Sequence, residues 1–234
     1  MSVATQGLVV RTDVAVEVRE RGAMRFHRID DAPRPAVILV SGYPDAGFER
    51  VVGVPFREMQ SVRDWARLIA AAGCVAVTYT NEEPLRDLCA VADEVLREHE
   101  RVALFATSGN VPVALAMLSE RRFRCAAFCY GYLTDRDGST AVAEASKSFG
   151  FVNPAAGDVP ADVPLFLARA GADACPGLNA TLDRFVIDAL HRNLPIALAN
   201  HPSGPHAFDL FDDSDASRAI VRQLLAFLSA WLLD

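Results

Sequence analysis

Ser108, Asp173 and His206 stand in an order that could turn a hydroxyl into a nucleophile. A serine hydroxyl attacks poorly until a histidine takes its proton, and the histidine in turn needs a carboxylate to fix its tautomer and stabilise the imidazolium. Ser108 lies in Ala106-Thr107-Ser108-Gly109-Asn110-Val111-Pro112, at the end of the apolar run Val102–Ala106. Asp173 comes 65 residues later, after the run Pro164–Ala168, and His206 a further 33, after Ile196–Ala199. Taken singly, each has a plainer reading: a serine capping a helix, an aspartate turning a loop beside glycines, a solvated loop histidine. What favours chemistry is that each follows its own buried run.

The other parts of such a site can be named from the same sequence. A serine squeezed between a strand and a helix opening near Pro112 suits a sharp turn that projects its Oγ, with helix N–H groups aimed at negative charge. The positions two before and two after Ser108 are Ala106 and Asn110, and asparagine accepts unusual backbone angles better than most residues. An oxyanion needs two N–H donors. Gly109 supplies one; in Ser41-Gly42-Tyr43-Pro44-Asp45 the second falls to Tyr43, because Pro44 has no N–H, and Gly42 permits close backbone approach. His201 is the alternative base, and Asp135 and Asp137 are the rival orienting acids. Cys129 and Cys175 fall near strand ends without an activating motif, which reads as buried thiols. His201, His206 and Asp209 lack HxH or HExxH spacing, so neither a metal nor any other cofactor is expected.

These residues need a scaffold that gathers them at one edge. Six short apolar runs, Ala36–Val40, Cys74–Thr78, Val102–Ala106, Ala126–Tyr130, Pro164–Ala168 and Ile196–Ala199, read as parallel strands covered on both faces. Helical spacing separates them, as in Val62, Trp65, Ala66, Ile69 and Ala70 before Gly73, or Leu182, Phe185, Val186, Ala189 and Leu190. Pro84 opens another helix, and the Asp212-Asp213-Ser214-Asp215 cluster opens a last one through Trp231. The alternation predicts an α/β domain over residues 1–234, a mostly parallel central sheet with helices on both faces. Leu8–Val10, Val14–Val18 and Met24–Arg28 read as N-terminal antiparallel edge strands. Residues 131–161, rich in glycine and proline, read as an excursion forming a pocket wall or lid. Ligands in such sheets bind beyond the carboxyl ends of the strands, where all three residues fall.

Composition narrows the class. The net charge is −7, the wrong sign for coating phosphates, so no nucleic-acid partner is expected. No apolar run approaches the ~20 residues of a membrane helix, so none is expected to span a membrane. The start, MSVATQGLVVRTD, shows no secretory pattern. Five cysteines without a CxxC read as reduced thiols in a cytoplasmic protein.

The stretches AVILVSGYPD, ATSGNVPVALA, VPLFLARAGADACPGLN and NHPSGPHAFD resemble those of the α/β-hydrolases, in the dienelactone-hydrolase-like group, over residues 35–234. By position the resemblance carries a nucleophile onto Ser108, an acid onto Asp173 and a base onto His206. The group's best-known members use cysteine where this chain has Ser108, and its elbow glycines are replaced by Ala106 and Asn110. No large cap domain is visible, which implies a fairly open site. The expectation is a serine hydrolase of carboxylic esters, lactones or thioesters with a small to medium acyl substrate, acting as a monomer or homodimer. Tyr132, Phe149 and Phe151 are expected to shape the substrate pocket. Acyl transfer by the same triad, or a non-catalytic ligand-binding protein on the same fold, are the alternatives.

Overall fold

The computed structural model describes residues 3–233. Its eight strands are β1 (Glu17–Arg21), β2 (Met24–Arg28), β3 (Ala36–Leu39), β4 (Val75–Tyr79), β5 (Val102–Thr107), β6 (Cys125–Cys129), β7 (Leu165–Ala170) and β8 (Ile196–His201). They form one sheet in the order β1-β2-β4-β3-β5-β6-β7-β8. The β1–β2 and β2–β4 pairs are antiparallel, and every other pair is parallel. The six apolar runs of the sequence are the six parallel strands. Of the three N-terminal segments, Met24–Arg28 is a strand as expected, the Val14–Val18 strand is displaced to Glu17–Arg21, and Leu8–Val10 forms none. Leu8 is buried instead, its N–H donating to Asp64 Oδ2 while the Val9 N–H donates to the Asp209 carbonyl, so this segment closes against helices rather than pairing with the sheet.

Eight helices surround the sheet among the described residues: α1 (Asp45–Val52), α2 (Gln60–Ala71), α3 (Pro84–Glu98), α4 (Val111–Glu120), α5 (Ala141–Phe149), α6 (Leu178–His191), the single turn α7 (Phe208–Phe211) and α8 (Asp215–Leu232). Proline opens α3 and α4 where its missing N–H costs nothing. Ser214 caps α8, its side chain accepting from the Ser217 N–H. Helix α5 lies within the 131–161 excursion, and the Asp135 carboxylate accepts from the N–H groups of Val142 and Ala143 in its first turn. None of the described helices is long and apolar enough to cross a membrane.

Alternate side chains of each central strand enter opposite faces of the sheet, as the period of two requires. Ile38, Val77, Leu104, Phe128 and Leu167 pack under α3, α4 and α6; Val37, Ala76, Phe105, Ala127 and Phe166 pack under α2 and α8. Helix α4 is buried from Val111 to Leu118, which fixes its first turn rigidly behind β5. The carboxyl ends of β3, β5, β6, β7 and β8 therefore open onto one edge.

Candidate active site

The chain turns from β5 into α4 through Ser108 at φ 53°, a left-handed conformation that costs a non-glycine residue about 1–3 kcal/mol and persists only when its surroundings impose it. They do so on both sides, with β5 and α4 each buried. Gly109 follows where a Cβ would run into the Tyr43 hydroxyl and the Phe151 ring. Ser108 thus stands at the tip of the turn and at the N-terminal end of α4, whose dipole favours developing negative charge.

His206 Nε2 lies 3.0 Å from Ser108 Oγ, and His206 Nδ1 lies 2.7 Å from Asp173 Oδ2. The Asp173 side chain is fully buried whereas that of His206 is 30% exposed, so the carboxylate is shielded while the ring remains reachable. Burial raises the Asp173 pKa, but donors from His206 and from the Cys175 N–H, 2.8 Å from Oδ1, outweigh it and hold the carboxyl below its usual range. An ionised Asp173 accepts the Nδ1 proton, which assigns the Nε2 lone pair to the Ser108 hydroxyl. The acid and histidine loops are joined through the backbone: Gly171 N–H donates to the His201 carbonyl at 2.8 Å and Ala172 N–H to the Gly204 carbonyl at 2.9 Å.

The loop after β3 meets the serine turn closely. A Cβ on Gly42 would sit 2.6 Å from the Gly109 carbonyl oxygen, so only glycine fits. The Gly42 N–H donates to Asn110 Oδ1 at 2.7 Å. Asn81 Nδ2 donates to the carbonyls of Ser41 and Tyr43, at 3.0 and 2.9 Å, and the Val152 N–H donates to the Gly42 carbonyl at 2.8 Å. With the Gly42 N–H engaged, Tyr43 carries the next amide. Among the described residues, neither the Tyr43 nor the Gly109 N–H donates within the loops around it.

A cavity of about 280 Å³ reaches inward from Ser108 and His206. Its walls are Tyr43, Phe48, Val52, Phe56, Met59, Val62 and Trp65 on one side and Tyr130, Asp209 and Phe211 on the other. This corrects the expectation for the 131–161 excursion. Phe149 is 50% exposed at the end of α5 and lines none of the cavity. Tyr132 and Phe151 stack on each other, ring centroids 5.5 Å apart, with Phe151 edge-on to Tyr43. They back Tyr43 and Gly109 from the far side instead of forming the cavity wall. The wall comes from α1, the turn Phe56–Glu58 and α2, because the aromatic and aliphatic residues of 48–65 face the sheet there.

The rival residues have other partners. His201 is buried, its Nε2 2.8 Å from Asp212 Oδ2 and 3.1 Å from Ser217 Oγ. Asp135 serves the first turn of α5, and Asp137 sits in a left-handed turn position. Burial pushes the Cys175 thiol up to about 12, with Asp173 adding to the shift. Asp173, Cys175 and His206 bring possible ligand atoms within 4.8 Å of one another. A thiol kept protonated and a carboxylate already paired with imidazole make that set a poor cation site. Burial also holds Cys129 protonated.

Sequence reasoning missed the partners of the turn. Asn110 was read for its backbone tolerance, and its side chain proves to be the acceptor that holds Gly42. Asn81, two residues past β4, carried the same strand-end signal as Ser108, Asp173 and His206. Asp209 and Trp65 gave none.

No protein-family model matches the chain, and no curated protein sequence does. Solved structures do resemble it. The hyperthermophilic esterase from the archeon Pyrobaculum calidifontis is 16% identical, with a TM-score of 0.71 over 95% of this chain and 87% of that one. A bacterial heroin esterase is 15% identical, with a TM-score of 0.68 over 94% and 85%. A putative dienelactone hydrolase from Klebsiella pneumoniae subsp. pneumoniae is 13% identical, with a TM-score of 0.57 over 89% and 91%. The strand order, the antiparallel strands at one edge and these likenesses together establish that the chain has the α/β-hydrolase fold.

Proposed function

We propose that this chain is a serine hydrolase cleaving a carboxylic ester, lactone or thioester through an acyl-enzyme. The observation that carries the reading is the continuous hydrogen-bonded line from Ser108 Oγ through the His206 ring to the buried Asp173 carboxylate. In the first step His206 Nε2 takes the Ser108 proton as Oγ adds to the acyl carbon, and Asp173 stabilises the imidazolium that forms. The Tyr43 and Gly109 N–H groups receive the negative charge on the acyl oxygen; one such donor is worth ~10²–10³ in rate. His206 then returns the proton to the leaving oxygen or sulfur. Water attacks the acyl-enzyme by the same exchange in reverse, freeing the acid and Ser108.

The apolar cavity favours an apolar acyl group. A cavity of about 150 Å³ holds a benzene-sized guest, so about 280 Å³ has room for on the order of ten carbon atoms by the same measure. The test is the intact mass of the protein after exposure to a fluorophosphonate, beside Ser108→Ala. One adduct on the wild type and none on the variant is expected. An unmodified wild type that also turns over no ester, lactone or thioester would overturn the reading.

A further inference from the structure

Asp209 is the buried acid for which the reaction above has no use. It is 2% exposed, and burying a carboxylate is costly unless its oxygens are satisfied. Both are: Trp65 Nε1–H donates to Oδ2 at 2.9 Å and the Tyr130 hydroxyl donates to Oδ1 at 2.7 Å. Trp65 comes from α2 and Tyr130 from directly after β6, while Asp209 follows His206 by three residues in the turn α7. One carboxylate therefore joins three separate elements beside the histidine.

Tyr130 carries the connection to the ring. It adopts φ 36°, and its ring stands edge-on to His206 with centroids 5.0 Å apart. Its hydroxyl is held by Asp209, so the ring cannot turn away from the imidazole without breaking that bond. Ala207, between His206 and the turn, is itself left-handed at φ 54°. The Asp209 carbonyl also accepts the Val9 N–H at 2.8 Å, which fixes the turn from outside. Asp173 and Ser108 engage the imidazole at its two nitrogens, which leaves the ring free to tilt about the line between them. A wall at its side removes that freedom.

We infer that Asp209 is a positioning residue for His206, acting through the Tyr130 ring that it clamps and through its charge in the same buried region. The inference rests on the hydrolase reading for its consequence in rate, but not for the coupling itself. The titratable groups facing Asp209 are Cys129 at the end of β6, Tyr130 directly after it and His206 from its own loop, with the Trp65 N–H facing it from α2.

The test compares wild type, Asp209→Asn and Tyr130→Phe in two measurements. The first is the rate constant for fluorophosphonate modification against pH. The second is the NMR titration of the His206 ring, identified among the five histidines by its loss in His206→Ala. Asp209→Asn is expected to slow modification about tenfold, as a barrier rise of ~1.4 kcal/mol does. It should also lower the His206 titration midpoint, because a carboxylate held as an acceptor by Trp65 and Tyr130 is replaced by an uncharged amide that favours imidazolium less. Tyr130→Phe is expected to slow modification about threefold, and to add little when combined with Asp209→Asn, since both break one link. Rates within twofold of wild type and an unmoved midpoint in folded Asp209→Asn would overturn the inference. Should that variant not fold, an unchanged modification rate in Tyr130→Phe would do so. A wild type that resists the fluorophosphonate and turns over no ester, lactone or thioester, while the His206 midpoint still moves in Asp209→Asn, would instead sink the hydrolase reading and leave the coupling standing.

Discussion

Replacing Asn110 with alanine tests the residue that most distinguishes this serine turn. Asn110 Oδ1 accepts the Gly42 N–H at 2.7 Å in a buried setting. Asn110→Ala leaves that N–H without a partner, a desolvation cost of ~1–3 kcal/mol. In a chain of this size each kcal/mol moves Tm by ~2–4 °C, so a drop of ~4–8 °C is expected at the middle of that range. The catalytic effect follows from what Gly42 carries. Its neighbour Tyr43 presents a proposed oxyanion N–H, whose complete loss would cost ~10²–10³ in kcat. The loop is still held by Asn81 at the Ser41 and Tyr43 carbonyls and by the Val152 N–H at Gly42. Misplacement is therefore partial, and kcat for an activated ester should fall about tenfold, or ~1.4 kcal/mol, with KM nearly unchanged because the oxyanion contact strengthens only in the transition state. The assay pairs steady-state hydrolysis with thermal unfolding. A variant that melts within ~1 °C of wild type with unaltered kcat would refute the argument that Asn110 sets the oxyanion loop.

Further outcomes bear on other parts of the molecule. His201→Ala should lose ~2–4 kcal/mol of stability, since it empties a buried site bonded to Asp212 and Ser217. Its fluorophosphonate rate should nonetheless stay within about twofold of wild type; loss of labelling in a folded variant would return His201 to the list of bases. Val52→Trp fills part of the cavity; hydrolysis of an octanoyl ester should fall ~10–200-fold relative to an acetyl ester, and a uniform change in both would place the acyl group elsewhere. Burial, then the charges of Arg25, Arg67 and Arg63, hold the pKa of His27 down to about 4. A folded value below the unfolded one means the unfolded chain takes up the proton first. The stability concerned is whole above about pH 6.5 and is lost as pH falls to about 4, on the order of 3 kcal/mol. His27→Gln should flatten that fall in urea unfolding, and parallel curves for the two proteins would contradict it.

The sequence by itself determined the six parallel strands and the order in which Ser108, Asp173 and His206 follow three of them. Central parallel strands are buried on both faces, so each announces itself as a short apolar run, and the residue just past such a run lies at the edge where ligands bind. Ser108, Asp173 and His206 could be picked from that rule alone. The choice between His201 and His206 was harder, because two histidines of one loop differ only in where the loop sends them. In the fold His201 is buried against Asp212 and Ser217, and it is His206 that meets Ser108. The pocket wall was likewise a tertiary outcome. Phe149 and Phe151 share the excursion, yet one is half exposed and the other packs behind Tyr43. The cavity itself is lined by residues 48–65, whose apolar spacing reads only as helix packing. Asp209 and its donors Trp65 and Tyr130 stand up to 144 positions apart in the chain. No periodicity records a contact of that kind, since it exists only once three elements have closed on one another.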